Sequence, residues 1–396
     1  MKQKVVIIGH GYLSRLSLIR SLGQAGFDVS VIVTMYGKLN TTKPLDCYSK
    51  YVSEVFYCNA KDSEGLMIIL LKISSSKEQK AVIIPDSDWS ASIVDNNREL
   101  LSEHFLFPYL DDETFHVVNW MDKERQKHLA KELGLTVPSV TRISVVEGVE
   151  PDLSNVRYPC FTKALTTMGG GKQCFSRSNN EEELIKALSV FANRKVSDIL
   201  VEDYIDIERE FAVVGLTDGR NVYIPGVIQV IENCLCHMGI ARKGKIMPTT
   251  GFEELLNSMK EYVRKTRFIG LFDIDFLYSR GKFYFCEMNF RYGGSGYAYT
   301  KSGINLPSLF VQMITNQLDI SSINDRVNIE QCFVNEKMLL DDLLAKNITV
   351  CEFNKALASA EISFVEDEDD SEPQRLFRKM VIKNKAKYYL KRILQR

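Results

Sequence analysis

The segment GLFDIDFLYSRGKFYFCEMNFRYGGSG, residues 270–296, places Asp273, Asp275, Glu287, Asn289 and Arg291 at alternate positions of two apolar runs. Alternate residues of a strand share one face. Asp273 and Asp275 therefore oppose Phe272, Ile274 and Phe276, while Glu287, Asn289 and Arg291 oppose Cys286, Met288 and Phe290. A three-residue turn at Arg280–Lys282, with Gly281 left-handed, sets Asp275 across from Glu287. Close carboxylates repel unless a proton or cation lies between them. Asp275, Glu287 and Asn289 are hard oxygen donors of the kind Mg²⁺ takes, its remaining positions going to phosphate oxygens. Arg291 beside them would stabilise charge on a transferring phosphoryl group, and the amides of Gly293, Gly294 and Ser295 could cradle an anion.

A second cationic element is TKALTTMGGGKQ, where Lys163 ends an apolar strand and Gly169, Gly170, Gly171 and Lys172 form an amide-rich loop. It lacks the spacing and the final hydroxyl of a Walker loop. Beside a magnesium site it reads as a lid over a triphosphate. In LVEDYIDIEREF, residues 200–211, a strand ends in acids and a short connector offers backbone groups to a flat heterocycle.

These residues need a scaffold, and the first 118 residues read as a doubly wound unit. KVVIIGHGYLSRLSLIRSLGQAGFDVSVIV contains a strand at Val5–Ile8, a helix at Leu13–Leu22 stopped by Gly26, and a strand at Val29–Val33. AVIIPDSD at 81–88 supplies another strand. Gly9-His10-Gly11 is followed by Ser14 where a dinucleotide fingerprint needs glycine, and no acid closes the second strand, so a dinucleotide site is not expected. His10, Gly11, Asp86 and Asp88 stand at strand ends, where open α/β sheets bind ligands. Beyond Asn119 come a helix opened by Asp122, two strands around the glycine loop, a capped helix at 179–193, alternating strands, and the hairpin. From about residue 320 the pattern is helical and charged.

Composition narrows the class. The apolar fraction is 45% and no stretch nears the ~18 uninterrupted apolar residues of a membrane span. The N-terminal apolar run is too short for a signal peptide. Nine irregularly spaced cysteines read as reduced thiols of a cytoplasmic protein. A net charge of −1 gives no field toward nucleic acid. Residues 361–372 nevertheless carry seven acids and no base, and residues 375–396 nine bases and no acid. That basic run, with Leu376, Phe377, Tyr388, Tyr389, Ile393 and Leu394 interleaved, is either a solvated tail or a peripheral contact with an anionic membrane.

Taken in order, Lys123 in MDK…GLTVP, Lys163 with its glycine loop, VEDYI…E and DIDF…FCEMNFR resemble the ATP-grasp ligases over about residues 1–316. The resemblance implies an α/β chain of three parts: a Rossmann-like domain at 1–118, an ATP-grasp domain at 119–316 with a mobile lid at about 139–200, and a helical extension at 317–396. It implies that Lys123 and Lys163 meet ATP phosphates, with Lys172 in the lid. Glu202 would meet the adenine amino group, Asp203 and Ile205 would offer backbone groups to the ring, and Glu210 would hold the ribose. Asp275, Glu287 and Asn289 would bind one or two Mg²⁺ ions, for which Mn²⁺ could substitute, and Arg291 would face the phosphoryl group. In layout the chain is similar to the D-aspartate ligase-like branch of carboxylate–amine ligases. It departs from D-alanine–D-alanine ligase at Asp273, where that enzyme has arginine.

The implied activity is ADP-forming ligation of a small carboxylate to an amine through an acyl phosphate, with an amino acid joined to a cell-wall or polysaccharide precursor as one form. Rival readings are a carboxylase or carbamoylating ATP-grasp and a non-catalytic ATP-binding regulatory subunit. A homodimer is one oligomeric state open to it.

Overall fold

A computed structural model of the chain describes residues 2–74, 79–145, 149–166, 175–237 and 239–394. Its first sheet is parallel, in the order β3-β2-β1-β4-β5. The strands are β1 (Lys4–Gly9), β2 (Asp28–Met35), β3 (Val52–Asn59), β4 (Ala81–Pro85) and β5 (Phe105–Leu106). The intervening helices are α1 (Tyr12–Gln24), α2 (Ser63–Ile73), α3 (Asp88–Asn96) and α4 (Arg98–Ser102). Val5, Val6, Ile7 and Ile8 are all fully buried, as a parallel strand covered on both faces requires. Sequence reading places β1, β2, β4 and α1 but assigns no strand at β3.

After β6 (Tyr109–Leu110) and α5 (Val117–Trp120), α6 (Lys123–Glu132) begins at an Asp122 cap that accepts from the amides of Glu124 and Arg125. A four-stranded antiparallel sheet follows, in the order β7-β10-β8-β9. It is built from β7 (Val140–Ser144), β8 (Cys160–Ala164), β9 (Ser176–Ser178) and β10 (Asp198–Asp203), with α7 (Glu181–Asn193) across it. Residues 167–174, which include Gly169, Gly170, Gly171 and Lys172, lie outside the described residues.

The largest sheet has the main order β16-β15-β11-β13-β14-β17-β18, with β12 paired to β11 and β6 to β15. Its members are β11 (Arg209–Asp218), β12 (Val222–Tyr223), β13 (Val227–Asn233), β14 (Ala241–Met247), β15 (Phe268–Ser279) and β16 (Lys282–Asn289). Helices α8 (Glu253–Thr266), α9 (Tyr297–Lys301) and α10 (Leu306–Ile314) pack around it.

Two expectations are corrected. The hairpin loop has two residues, Arg280 and Gly281, both at positive φ (49° and 77°), because Ser279 pairs with Lys282. A bulge at Cys286 then restores the offset, so Asp275 still opposes Glu287. The extra residue turns Cys286 toward the polar face, where it lies among Lys127, Lys163, Glu202 and Asp275.

The second correction concerns the C-terminal region, which is not purely helical. Strands β17 (Gln331–Val334) and β18 (Ile362–Ser363) extend the large sheet, and α11 (Glu336–Leu344), α12 (Val350–Ala358) and α13 (Ser371–Leu394) surround them. The acidic run is a strap between units. Asp370 pairs with Arg20 of α1 at 2.9 Å, both buried, and Asp367 with Lys301 at 2.9 Å. Phe377, offered above for a membrane surface, is buried against Val334 and Leu340. The side chains from residue 386 onward lie outside the described residues.

Candidate active site

Strands β15 and β16 bring the acids together through their pairing: Asp275 opposes Glu287, and Asp273 opposes Asn289. Opposed side chains on one face lie within reach of each other. Helix α6 lies on β16, held there by Gln126. Its carboxamide donates to the Met288 carbonyl at 2.9 Å and accepts from the Met288 amide at 2.7 Å, as a neighbouring strand would. That docking carries Lys123 to Glu287, with Nζ and Oε2 3.1 Å apart. The Lys123 amide donates to the Leu165 carbonyl at 3.1 Å, which ties α6 to the end of β8.

Lys163 on β8 and Glu202 on β10 are cross-strand neighbours displaced by two positions. Lys163 Nζ lies 2.6 Å from Glu202 Oε1, and Lys127 Nζ lies 3.2 Å from the same oxygen. All three residues are buried. Burial alone would raise the Glu202 carboxyl, but Lys127 and Lys163 hold it below the usual carboxylate range. Burial pushes the Lys127 ammonium down despite Glu202. The Cys286 thiol beside them is pushed up to about 12, chiefly by burial, and so stays protonated.

The connector after β10 has the Asp203 amide donating to Ser139 and the Tyr204 amide to Pro159, both at 3.0 Å. Asp203 also pairs with Arg157 at 2.8 Å, and Ile205 is half-buried. Glu210, paired with Val230 in the sheet, accepts from Asn233 at 2.8 Å.

Arg291 joins the two large units. Its Nε lies 3.0 Å from Asp88 at the start of α3, its Nη2 3.4 Å from Asn289 Oδ1, and its Nη1 3.9 Å from Asp273. Gly293 follows where a Cβ would come within 2.7 Å of the Asp273 carboxylate, so a larger residue would have to push that side chain aside. Gly294 and Ser295 continue that turn into α9. On the N-terminal side, Asp86 lies over Gly9, whose added Cβ would fall 1.3 Å from Asp86 Oδ1. Burial pushes Asp86 up to about 7 against Arg15, Ser14 and Arg291. His10 is lowered by burial and then by Arg15 and Arg291. Gly11 accepts from the Ser14 hydroxyl at 2.9 Å.

One recess is lined by Asp88, Lys123, Glu287 and Asn289, and Arg291 stands at its edge beside Asp88. Lys163, Glu202 and Asp203 stand on the smaller sheet, Ile205 in the connector after β10, and Glu210 on β11. His10 and Gly11 lie on the N-terminal side of Arg291. Sequence reasoning missed Lys127, Gln126 and Cys286. The signal for Lys127 was its spacing, four residues after Lys123 on one helix face.

Comparison with known proteins agrees with this architecture. Residues 128–308 match the ATP-grasp domain family. The chain is 27% identical over 201 residues to the carbamoyl phosphate synthase large chain of Clostridium beijerinckii, covering 49% of this chain and 18% of that protein. It thus spans less than a fifth of the length of this relative. Among solved structures, N5-carboxyaminoimidazole synthetase from Staphylococcus aureus complexed with ADP superposes with TM-score 0.64 at 17% identity, over 90% of this chain and 87% of that one. The L-amino acid ligase from Bacillus licheniformis superposes with TM-score 0.62 at 15% identity, over 84% and 79%.

Proposed function

We propose, from the ATP-grasp domain that this chain carries, that it is an ADP-forming ligase joining a small carboxylate to an amine. One observation carries the reading: Asp88, Lys123, Glu287 and Asn289 line a single recess, and Arg291 lies 3.0 Å from Asp88 and 3.4 Å from Asn289. A carboxylate is a poor electrophile, and phosphorylating it replaces an oxide leaving group with phosphate. Such transfer needs position and positive charge rather than a covalent nucleophile.

Asp275, Glu287 and Asn289 suit Mg²⁺, because all three offer hard oxygens and the first two oppose each other on paired strands. Bound there, the ion would supply charge for the phosphates. Lys123 and Lys163 would bind the phosphates and Arg291 the transferring group. The lid at about 139–200, including Gly169–Gly171 and Lys172, would exclude water. Glu202, Asp203, Ile205 and Glu210 would seat the nucleoside, and Asp88, His10, Gly11 and Gly293–Ser295 would border the carboxylate and amine. The division at residues 118 and 316 belongs to this reading, as do a cytoplasmic setting and kinship to the D-aspartate ligase-like branch.

The test is phosphate release from ATP across pairs of L- and D-amino acids. Release that depends on one pair is expected. Dependence on bicarbonate instead would favour a carboxylase or carbamoylating activity, which the carbamoyl phosphate synthase relatives keep as the second reading.

Residues 375–396 carry nine bases; Arg375 and Arg378 pair with Glu372 and Glu366, and in this reading the bases further along would meet an anionic membrane surface and bring the enzyme to a lipid-linked acceptor. No described helix is long and apolar enough to cross a membrane. Deleting residues 383–396 should abolish co-sedimentation with phosphatidylserine vesicles, and unchanged co-sedimentation would remove the idea.

A further inference from the structure

We propose that Lys127 is a positioning residue for nucleotide selectivity: it keeps Glu202 ionised and oriented so that the site accepts adenine and rejects guanine. The inference rests on the reading of Glu202 as the group that meets the adenine amino group. It adds a residue that neither the motif nor the family match singles out.

The geometry gives Glu202 two cations on one oxygen, Lys163 at 2.6 Å and Lys127 at 3.2 Å. They are not equivalent. Lys163 sits next to the last residue of β8, where the chain runs on toward the glycine loop, and the proposed function sends its ammonium to the phosphates. Lys127 has no such outlet. Its helix is fixed to β16 through the Gln126 carboxamide, its side chain is 1% exposed, and Nζ lies 3.5 Å from the Phe285 carbonyl. When Lys163 turns to a phosphate, Lys127 is the cation left on Glu202.

A buried carboxylate stripped of its cations takes up a proton. The consequence for recognition is chemical. An ionised Glu202 offers acceptors only, which suit the exocyclic amino group of adenine and repel the exocyclic oxygen of guanine. A protonated Glu202 carries a donor and can serve that oxygen instead. Burial pushes the Lys127 ammonium down and Glu202 holds it up, so each charge depends on the other.

The experiment measures ADP and GDP affinity by calorimetry on the full chain, with Mg²⁺ present. Wild type should prefer ADP. Lys127→Met should shrink the ADP-to-GDP ratio roughly 10- to 100-fold, the worth of a charged hydrogen bond, and Lys127→Arg should restore most of it. Lys127→Met leaves a buried acid alone, so a second variant, Lys127→Met with Glu202→Gln, removes both charges and should fold with a similarly reduced ratio. An unchanged ratio in the double variant, or in a folded Lys127→Met, overturns the proposal. Wild type that binds neither nucleotide would sink the ATP reading itself, which is a separate outcome.

Discussion

Glu287→Gln is expected to lower ATP-dependent phosphate release by roughly 10²–10³-fold, the loss seen when one fixed electrostatic partner of a developing charge is removed. Glu287 faces Asp275 across the β15–β16 pair and holds Lys123 at 3.1 Å. The amide keeps the shape and one acceptor oxygen but removes the charge that both a cation and Lys123 answer to. The backbone around it is secured independently, because the Met288 amide and carbonyl are both bound by Gln126. The fold should therefore survive, with thermal unfolding close to wild type and only turnover lost. A variant that turns over normally would show that the hairpin acids are a structural cluster.

The largest stability effect is expected at the opposite end of the chain. Arg20 and Asp370 are 0% and 1% exposed and form an ion pair at 2.9 Å. The guanidinium also donates to the carbonyls of Phe364 and Asp370, and Asp370 accepts from the Lys50 amide at 2.9 Å. Breaking one side of such a buried pair leaves a charge without compensation and costs about 3–5 kcal/mol. Asp370→Asn should lower the urea unfolding free energy by that amount. Arg20→Met with Asp370→Leu should lose much less, because no unpaired charge remains. If the single and double variants unfold alike, the strap contributes nothing through this pair.

The parts of this structure legible in the sequence are those written in local periodicity. The alternation of Asp273, Asp275, Glu287 and Asn289 with apolar residues gives the polar face of the hairpin, and Val5–Ile8 gives the first parallel strand. The Asp275–Glu287 pairing comes out correctly from a turn read one residue too long, because the bulge at Cys286 replaces the missing residue. Cys286 itself is misplaced for the same reason, since a bulge has no sequence mark there beyond the alternation it breaks.

Other features depend on partners far along the chain. Lys127 finds Glu202 75 positions later, and Arg20 finds Asp370 350 positions later. The strands QCFV and IS are too short to announce themselves, yet they continue a sheet already twelve residues long at β15. In the acidic run, Asp367 and Asp370 reach Lys301 and Arg20, while Glu366 pairs with Arg378 of α13 and Glu372 pairs with Arg375 within that helix.

The most direct test of the account is nucleotide binding by calorimetry, with and without Mg²⁺, in wild type and in Asn289→Leu. Asn289 is 8% exposed, sits opposite Asp273 and lies 3.4 Å from Arg291. The account requires that the ion strengthen ATP binding in wild type by at least roughly tenfold, the scale of a single charged contact. It also requires that Asn289→Leu lose most of that gain. Equal affinity with and without the ion, unaffected by the substitution, would contradict it.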